Sequence, residues 1–441
     1  MIPARIIRQL SSLFGVRFLA IGLTFAQTVV LTRVFGPDAY GALTFAISSC
    51  ALATLVAACG FDQLLMRRLA ALGEDEVRTD LHWRKLLGFS LVFSSSVTAL
   101  ILVIGLTLLV WQDLGGAYRT TLIGACIALP LMIIRKYCEA IVQGSQRVLR
   151  SIIGSQLIFP FLVILGGGVV FAMEGSKDTT SITVLYVLAM IGSTLAALVV
   201  LGRSWKVLAL RVSSTEGDAP RPRTILISGV SLGLVGSGFV LSQNIDFFIL
   251  GVLGEPSDVA LVRVSARVAE AIGMLRAVAL LQYKPLLARA SGRGETKLFA
   301  DHIRKLCLVF TLTGTPLFLI AVFFGEEVMG VFGPGFVEGA WIMRVYVLGV
   351  FISLLTGASG PVLTMSGHEN IVARLLWVSL GINILLDLAL IPWVGAIGCG
   401  IATVVAQTFF NVSTVVIARR RLGLDPSILM FVPALRPGAP K

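Results

Sequence analysis

Arg263, Arg267 and Glu270 lie close together inside an apolar stretch near 259–282. At 100° per residue they fall within about 60° of one another on a helix, forming one polar stripe. Such a stripe cannot face lipid, because a charge within a bilayer is costly and turns toward a bundle interior or a wet cavity. Counted inward from the outer end, Asp246 on the preceding apolar stretch falls at ~9 Å, between Arg263 at ~6 Å and Arg267 at ~12 Å, so a cross-hairpin ion pair fits the spacing. The planar guanidinium fork of arginine suits phosphate, to which it donates two parallel hydrogen bonds. Arg263 and Arg267 are therefore candidate contacts for an anionic group on a cargo. Arg17, roughly two turns inside the first apolar stretch, is a third such candidate. Asp246 and Glu270 are candidates for titrating or binding a coupling ion, H+ or Na+. A static network locking the seventh and eighth helices together explains the same residues, and Arg17 equally snorkels to the interface.

Other polar residues inside apolar stretches carry simpler expectations. Arg135, Lys136 and Glu139 sit near the inner end of the fourth stretch, where snorkelling and an i,i+4 pair between Arg135 and Glu139 account for them. Arg344, near the outer end of the tenth, is read the same way. Gln243 and Asn244 adjoin Asp246, and Asn383 and Asp387 share a helical face; interhelical hydrogen bonds explain both sets. Pro130, Pro160, Pro316, Pro361 and the run Gly166–Gly168 interrupt spans, as bending points do in transporters.

The elements that must position these residues follow from composition. Of 441 residues, 56% are hydrophobic and 14% charged, against roughly 25% charged in a soluble domain, which excludes a soluble enzyme. Apolar runs long enough to cross ~30 Å of hydrocarbon occur near 11–34, 41–66, 86–110, 120–142, 151–173, 182–202, 225–252, 259–282, 306–324, 339–363, 375–392 and 397–418. The fold expected is all-α and integral to the membrane, with about twelve transmembrane helices around a central cavity. The first run, Leu13 to Phe35, is too long for a cleaved signal and stays as a helix. The six cysteines (Cys50, Cys59, Cys126, Cys138, Cys307, Cys399) form no CxxC pair and read as small packing residues.

Charge gives the orientation. Thirty-six basic residues oppose 24 acidic ones, for a net +12. The Lys and Arg residues cluster at the termini and in alternate loops, such as Arg203 to Arg223 and Lys284 to Lys305, whereas the opposite side has only Arg119 and Lys177 clear of the spans. By the positive-inside rule the basic side and both termini are cytoplasmic, so no nucleic-acid partner is needed to explain the charge. The polar, proline-containing segment 213–223 reads as a cytoplasmic linker between an N-terminal six-helix lobe, 1–212, and a C-terminal one, 224–418, followed by a basic tail, 419–441. Six helices per lobe make any repeat parallel. The strings RVFGPDAYGAL, Arg33 to Leu43, and GVLGEPSDVAL, Gly251 to Leu261, match weakly at corresponding places. The outer loops are all short, and His82, His302 and His368 are scattered among separate cytoplasmic loops, with no P-loop, HExxH or His/Cys cluster. Neither an enzymatic constellation nor a cofactor or metal site is expected.

Three segments resemble a known family. TRVFGPDAYG, Thr32 to Gly41, is similar to the first loop of the lipid-linked oligosaccharide (Wzx-type) flippases, in the polysaccharide-biosynthesis branch of the superfamily that includes multidrug-and-toxin extruders. DFFILGVLG, Asp246 to Gly254, resembles the start of that family's second half, and LIPWVGAIGCGIA, Leu390 to Ala402, its final hairpin. Arg267 and Glu270 fit the family pattern. Ala260 and Val262 depart from its Gly and Tyr, and Arg263 replaces a small or polar residue. The resemblance implies a flippase of the bacterial inner membrane that carries undecaprenyl-pyrophosphate-linked saccharides to the outer leaflet for exopolysaccharide, capsule or O-antigen assembly, with polymerase and export components as partners. The alternatives are an ion-coupled drug or cation antiporter of the same superfamily, a membrane enzyme of polymer assembly, and a non-catalytic component of an assembly complex.

Overall fold

A computed structural model describes residues 4–71, 82–111, 116–145, 147–173, 178–208, 222–292 and 295–431. Among these residues helices alternate with short turns and no strand occurs. The order is α1 (Ala4–Ala58), α2 (Phe61–Ala71), α3 (His82–Trp111), α4 (Gly116–Gly144), α5 (Phe159–Ala172), α6 (Thr179–Leu208), α7 (Pro222–Leu253), α8 (Pro256–Gly292), α9 (Thr296–Phe323), α10 (Ala340–Leu355), α11 (Ser359–Met365), α12 (Glu369–Val394) and α13 (Ala396–Leu422). A helical turn, Val148–Ser151, and a π-helix, Ile153–Ile158, lead into α5. The chain is therefore an all-α membrane protein.

Ten segments among the described residues are long and apolar enough to cross a bilayer. One of them, Phe18–Ala58, has 41 residues, about twice a span, and bends at Gly36, where φ is 76° and ψ 179°. That conformation is open almost only to glycine, and Pro37, which lacks an N–H, stands next to it where the second limb starts. The α7–α8 connection, Gly254-Glu255, likewise ends at a proline, Pro256. With 37 residues, α8 is long enough to cross but too polar to count among the ten, because Arg263, Arg267, Glu270 and Arg276 interrupt it. The expected twelve crossings are reached only by counting both limbs of α1 and adding α8.

The helices form two compact units, Met1–Phe248 and Ile249–Lys441. In the first, α4 packs along α6, α1 and α2. Its core holds Phe61, Leu65, Leu69, Trp83, Tyr137 and Ile141, and Ile225 of α7 joins it. In the second, α8 packs on α9 and α10, and α10 and α12 pack on α13. The described part of α7 up to Phe248 thus groups with the first unit, although the sequence reading assigned residues from 224 onward to the second lobe. Residues 213–221 of the expected linker lie outside the described ones. The expected tail boundary at 419 falls inside α13, whose last turn continues to Leu422 and ends on left-handed Gly423. Beyond it the chain turns back, with Asp425 holding Arg419 Nη2 at 2.5 Å and accepting the Ser427 amide at 3.0 Å.

Nothing lies within 4 Å of a side chain built at Gly36, so only backbone conformation resists substitution there. Gly36→Ala is expected to cost about 1–3 kcal/mol, read as a lower Tm of the detergent-purified protein; an unchanged Tm would place the bend elsewhere.

Candidate functional site

The two sides of α8 differ in kind. Val262, Ser265, Ala269 and Ile272 are buried and share the face packed into the second unit. Arg263, Arg267 and Glu270 lie on the opposite face and stay half-buried. Glu270 receives both guanidiniums: Arg267 Nη1 donates to Oε2 at 2.8 Å, and Arg263 Nη1 stands 3.5 Å from Oε1. Spacings of three and seven residues along one helix make this possible. Two cations share one carboxylate, so the trio keeps one net positive charge. These two contacts lie within α8, where they fix the direction of the guanidiniums.

Asp246 is buried near the far end of α7, within the first unit. Its neighbour Asn244 turns its amide back to Val240 O at 2.8 Å, the local bond by which polar residues settle inside a helix. Arg17 lies on the first limb of α1, with its side chain outside the described ones. Of the five candidates, the structure joins Arg263, Arg267 and Glu270 into one cluster.

The charges near the ends of the spans have partners in neighbouring helices, beside the expected Arg135–Glu139 pair. Arg135 is paired with Glu139 at 3.7 Å, and it also points inward, where Nη1 donates to Ser193 Oγ of α6 at 3.2 Å and the guanidinium lies 5.8 Å from the centre of the Phe159 ring. Lys136 Nζ reaches Asp62 Oδ2 at 3.4 Å, tying α4 to α2. Arg344 Nε donates to Val322 O at 3.0 Å, and its guanidinium stacks 4.7 Å from the Trp341 ring. It therefore caps the last turn of α9, where carbonyls lack helical partners. Asn383 and Asp387 are buried on one face of α12. All six cysteines are free thiols, and Cys50 Sγ sits 3.1 Å from Ala125 O as a small packing residue would.

The sequence reading also overlooked Arg276. It lies about 180° around α8 from Arg267, on the packed face. Nη1 donates to Ser353 Oγ and, at 3.4 Å, to Ser353 O in the last turn of α10. The signal was available as a fourth charge inside 259–282, but its angle separates it from the stripe. Its bonds make it a cap for the carbonyl end of α10.

This arrangement has the fold of transporters of the MOP superfamily. The lipid II flippase MurJ, in an inward closed conformation, aligns over 92% of this chain and 86% of its own with a TM-score of 0.71 at 14% identity. An inward-facing multidrug resistance MATE family transporter aligns over 91% and 94%, with a TM-score of 0.67 at 16% identity. A MOP superfamily transporter from Pyrococcus furiosus, whose binding pocket is described as reversed in polarity, aligns over 93% of each chain with a TM-score of 0.58 at 16% identity. Residues 6–290 match the family described as polysaccharide biosynthesis protein, and the chain belongs to that family. An uncharacterized membrane protein of Methanocaldococcus jannaschii is 23% identical over 121 residues, 27% of this chain and 24% of that protein. The chain thus matches only about a quarter of that relative's length.

Glu270→Gln would remove the carboxylate that the two guanidiniums share. Because the cluster is half-exposed, the expected loss is about 1–3 kcal/mol, below that of a fully buried pair. A double-mutant cycle over Arg267→Gln and Glu270→Gln, read by thermal unfolding, should return a coupling of about 1 kcal/mol; additive effects would mean that the contact contributes nothing.

Proposed function

We propose that the protein is a flippase that moves undecaprenyl-pyrophosphate-linked saccharide units across the bacterial inner membrane, by alternating access, for exopolysaccharide, capsule or O-antigen assembly. The observation that carries this reading is the pair of arginines held on one face of α8 by a shared glutamate. Membership of the polysaccharide-biosynthesis family and likeness in fold to a protein named as a lipid II flippase support it. Sugars and a pyrophosphate cannot cross hydrocarbon bare, since each unsatisfied polar group costs kilocalories and each charge far more. Arg263 and Arg267 would meet the pyrophosphate, with Arg17 as a third contact, while the lipid tail stays in the bilayer. Asp246 or Glu270 would carry the coupling ion, H+ or Na+, and no other cofactor takes part. Both termini lie in the cytoplasm, residues 213–223 link two parallel six-helix lobes, and polymerase and export components receive the product. An ion-coupled drug or cation antiporter is the second reading, favoured by the MATE fold; the sign of the α8 stripe opposes it.

The test is a reconstituted assay in which a defined pyrophosphate-linked glycolipid changes leaflet without changing mass. Arg267→Ala should slow it by about 10–100-fold, the loss of one charge-assisted hydrogen bond, with Arg267→Lys intermediate. Asp246→Asn or Glu270→Gln should remove the response to an ion gradient. Export of cationic dyes without movement of the glycolipid would establish the antiporter instead.

A further inference from the structure

The first compact unit contains a seam of main chain on main chain. The second limb of α1 ends at Ala58, and two left-handed residues, Cys59 (φ 47°) and Gly60 (φ 76°), turn the chain into α2. This elbow rests on α7 along Gly229, Gly233 and Gly236, which share one helical face. A side chain at Gly60 would strike Gly229 O and Gly233 N. One at Gly233 would come within 3.0 Å of Cys59 C and O and Gly60 N, one at Gly229 would enter the Phe61 ring, and one at Gly236 would meet the Gln63 amide. The seam lies about 36 Å along α1 from the Gly36 bend, at the level of the Lys- and Arg-rich loops.

Two ties hold the elbow to the first-half helices. Lys136 of α4 is paired with Asp62, and Gly144 of α4 brings the backbone of Met66 and the Cβ of Leu69 against it. On the other side, α7 meets the elbow largely through glycine. Nearer its opposite end, Phe248 stacks on Phe45 of α1, with ring centroids 5.9 Å apart. A ring stack therefore sits at one end of α7, and at the other a backbone-close glycine contact beside Ile225, which joins the Phe61 core. Glycine contacts let helices approach to backbone distance in a membrane with modest attraction, which suits a contact that must form and release.

We infer that the Cys59–Gly60 elbow and the Gly229–Gly233–Gly236 face of α7 form a releasable latch. It closes the basic face of the protein between first-half and second-half helices, and α7 swings away from the elbow about its Phe45–Phe248 end. This inference rests on the transporter reading but not on the identity of the cargo.

The test uses the full-length protein in oriented vesicles, with Cys59 kept and the other five cysteines replaced by alanine. A membrane-impermeant maleimide added from the basic side reports Cys59 exposure without any cargo. Gly233→Ala and, separately, Gly236→Ala should hold the latch ajar and label about tenfold faster than the parent, a population shift of one decade. Gly236→Ala displaces only the flexible Gln63 side chain and covers the case in which Gly233→Ala does not fold. A Gln63→Cys, Gly236→Cys pair in a background without native cysteines, once oxidised, should stop glycolipid movement and regain it on reduction. Equal labelling of parent and Gly236→Ala, or full movement by the oxidised pair, would make the seam static and overturn the latch. A parent that moves no glycolipid but still shows faster labelling of the glycine variants would count against the cargo and leave the latch standing.

Discussion

The cost of holding charge inside hydrocarbon is the constraint on which this molecule depends. Arg263, Arg267, Glu270 and Arg276 all ride on α8, and no arrangement that exposes them to acyl chains is affordable. The remaining helices supply what α8 lacks. Their outer faces carry exposed Leu312, Phe323, Leu385 and Val92, a lipid-facing surface a soluble protein would not tolerate. Trp341 and Trp393 are 67% and 88% exposed near the ends of α10 and α12 on the sparsely charged side, where amphipathic rings settle at a membrane interface.

Inside the units, polar groups are met locally. Thr24, Thr28 and Thr32 each bond a carbonyl one turn back in α1, and Tyr137 shares its hydroxyl with Ser94 at 2.7 Å. Small residues then allow close approach: side chains at Gly124, Gly166 and Gly398 would collide with Thr183, Leu185 and the backbone at Leu390. With lipid as apolar as the helix surfaces, packing of this kind and interhelical hydrogen bonds replace the hydrophobic effect as the force between helices. Arg135, pinned to Ser193 and Glu139, belongs to this economy of local satisfaction and not to the lipid interface.

How much of this is written in the sequence depends on the kind of information. Apolar runs place nearly every helix, because only a helix satisfies its own backbone in lipid. The Arg263–Arg267–Glu270 cluster is equally legible, since 100° per residue is a property of the chain alone. The partners of Arg135 and Arg344 in neighbouring helices were not legible, because depth along a helix says nothing of which neighbour stands opposite. The Cys59–Gly60 elbow lies inside an unbroken apolar run, and hydropathy carries no record of φ. The course of α7 beside the first-half helices, seen at Gly60 and Phe45, is a tertiary fact that chain order hides.

Fold alone leaves the cargo open, since multidrug and lipid transporters share this architecture. Charge narrows it. Within the apolar stretch 259–282 of α8 three arginines stand against one glutamate, and Arg276 is taken up by the carbonyl end of α10. What remains is the stripe of Arg263, Arg267 and Glu270. A guanidinium already fixed by Glu270 loses little freedom on meeting a second oxyanion, so in the proposed function Arg267 would be pre-oriented for a phosphate. In the proposed function Glu270 would have two tasks in one position: to keep the paired arginines from repelling each other before cargo binds, and to yield part of its hold when an anion arrives. In that reading the competition would keep binding from becoming so tight that release on the far side is slow, a requirement for any carrier that returns empty.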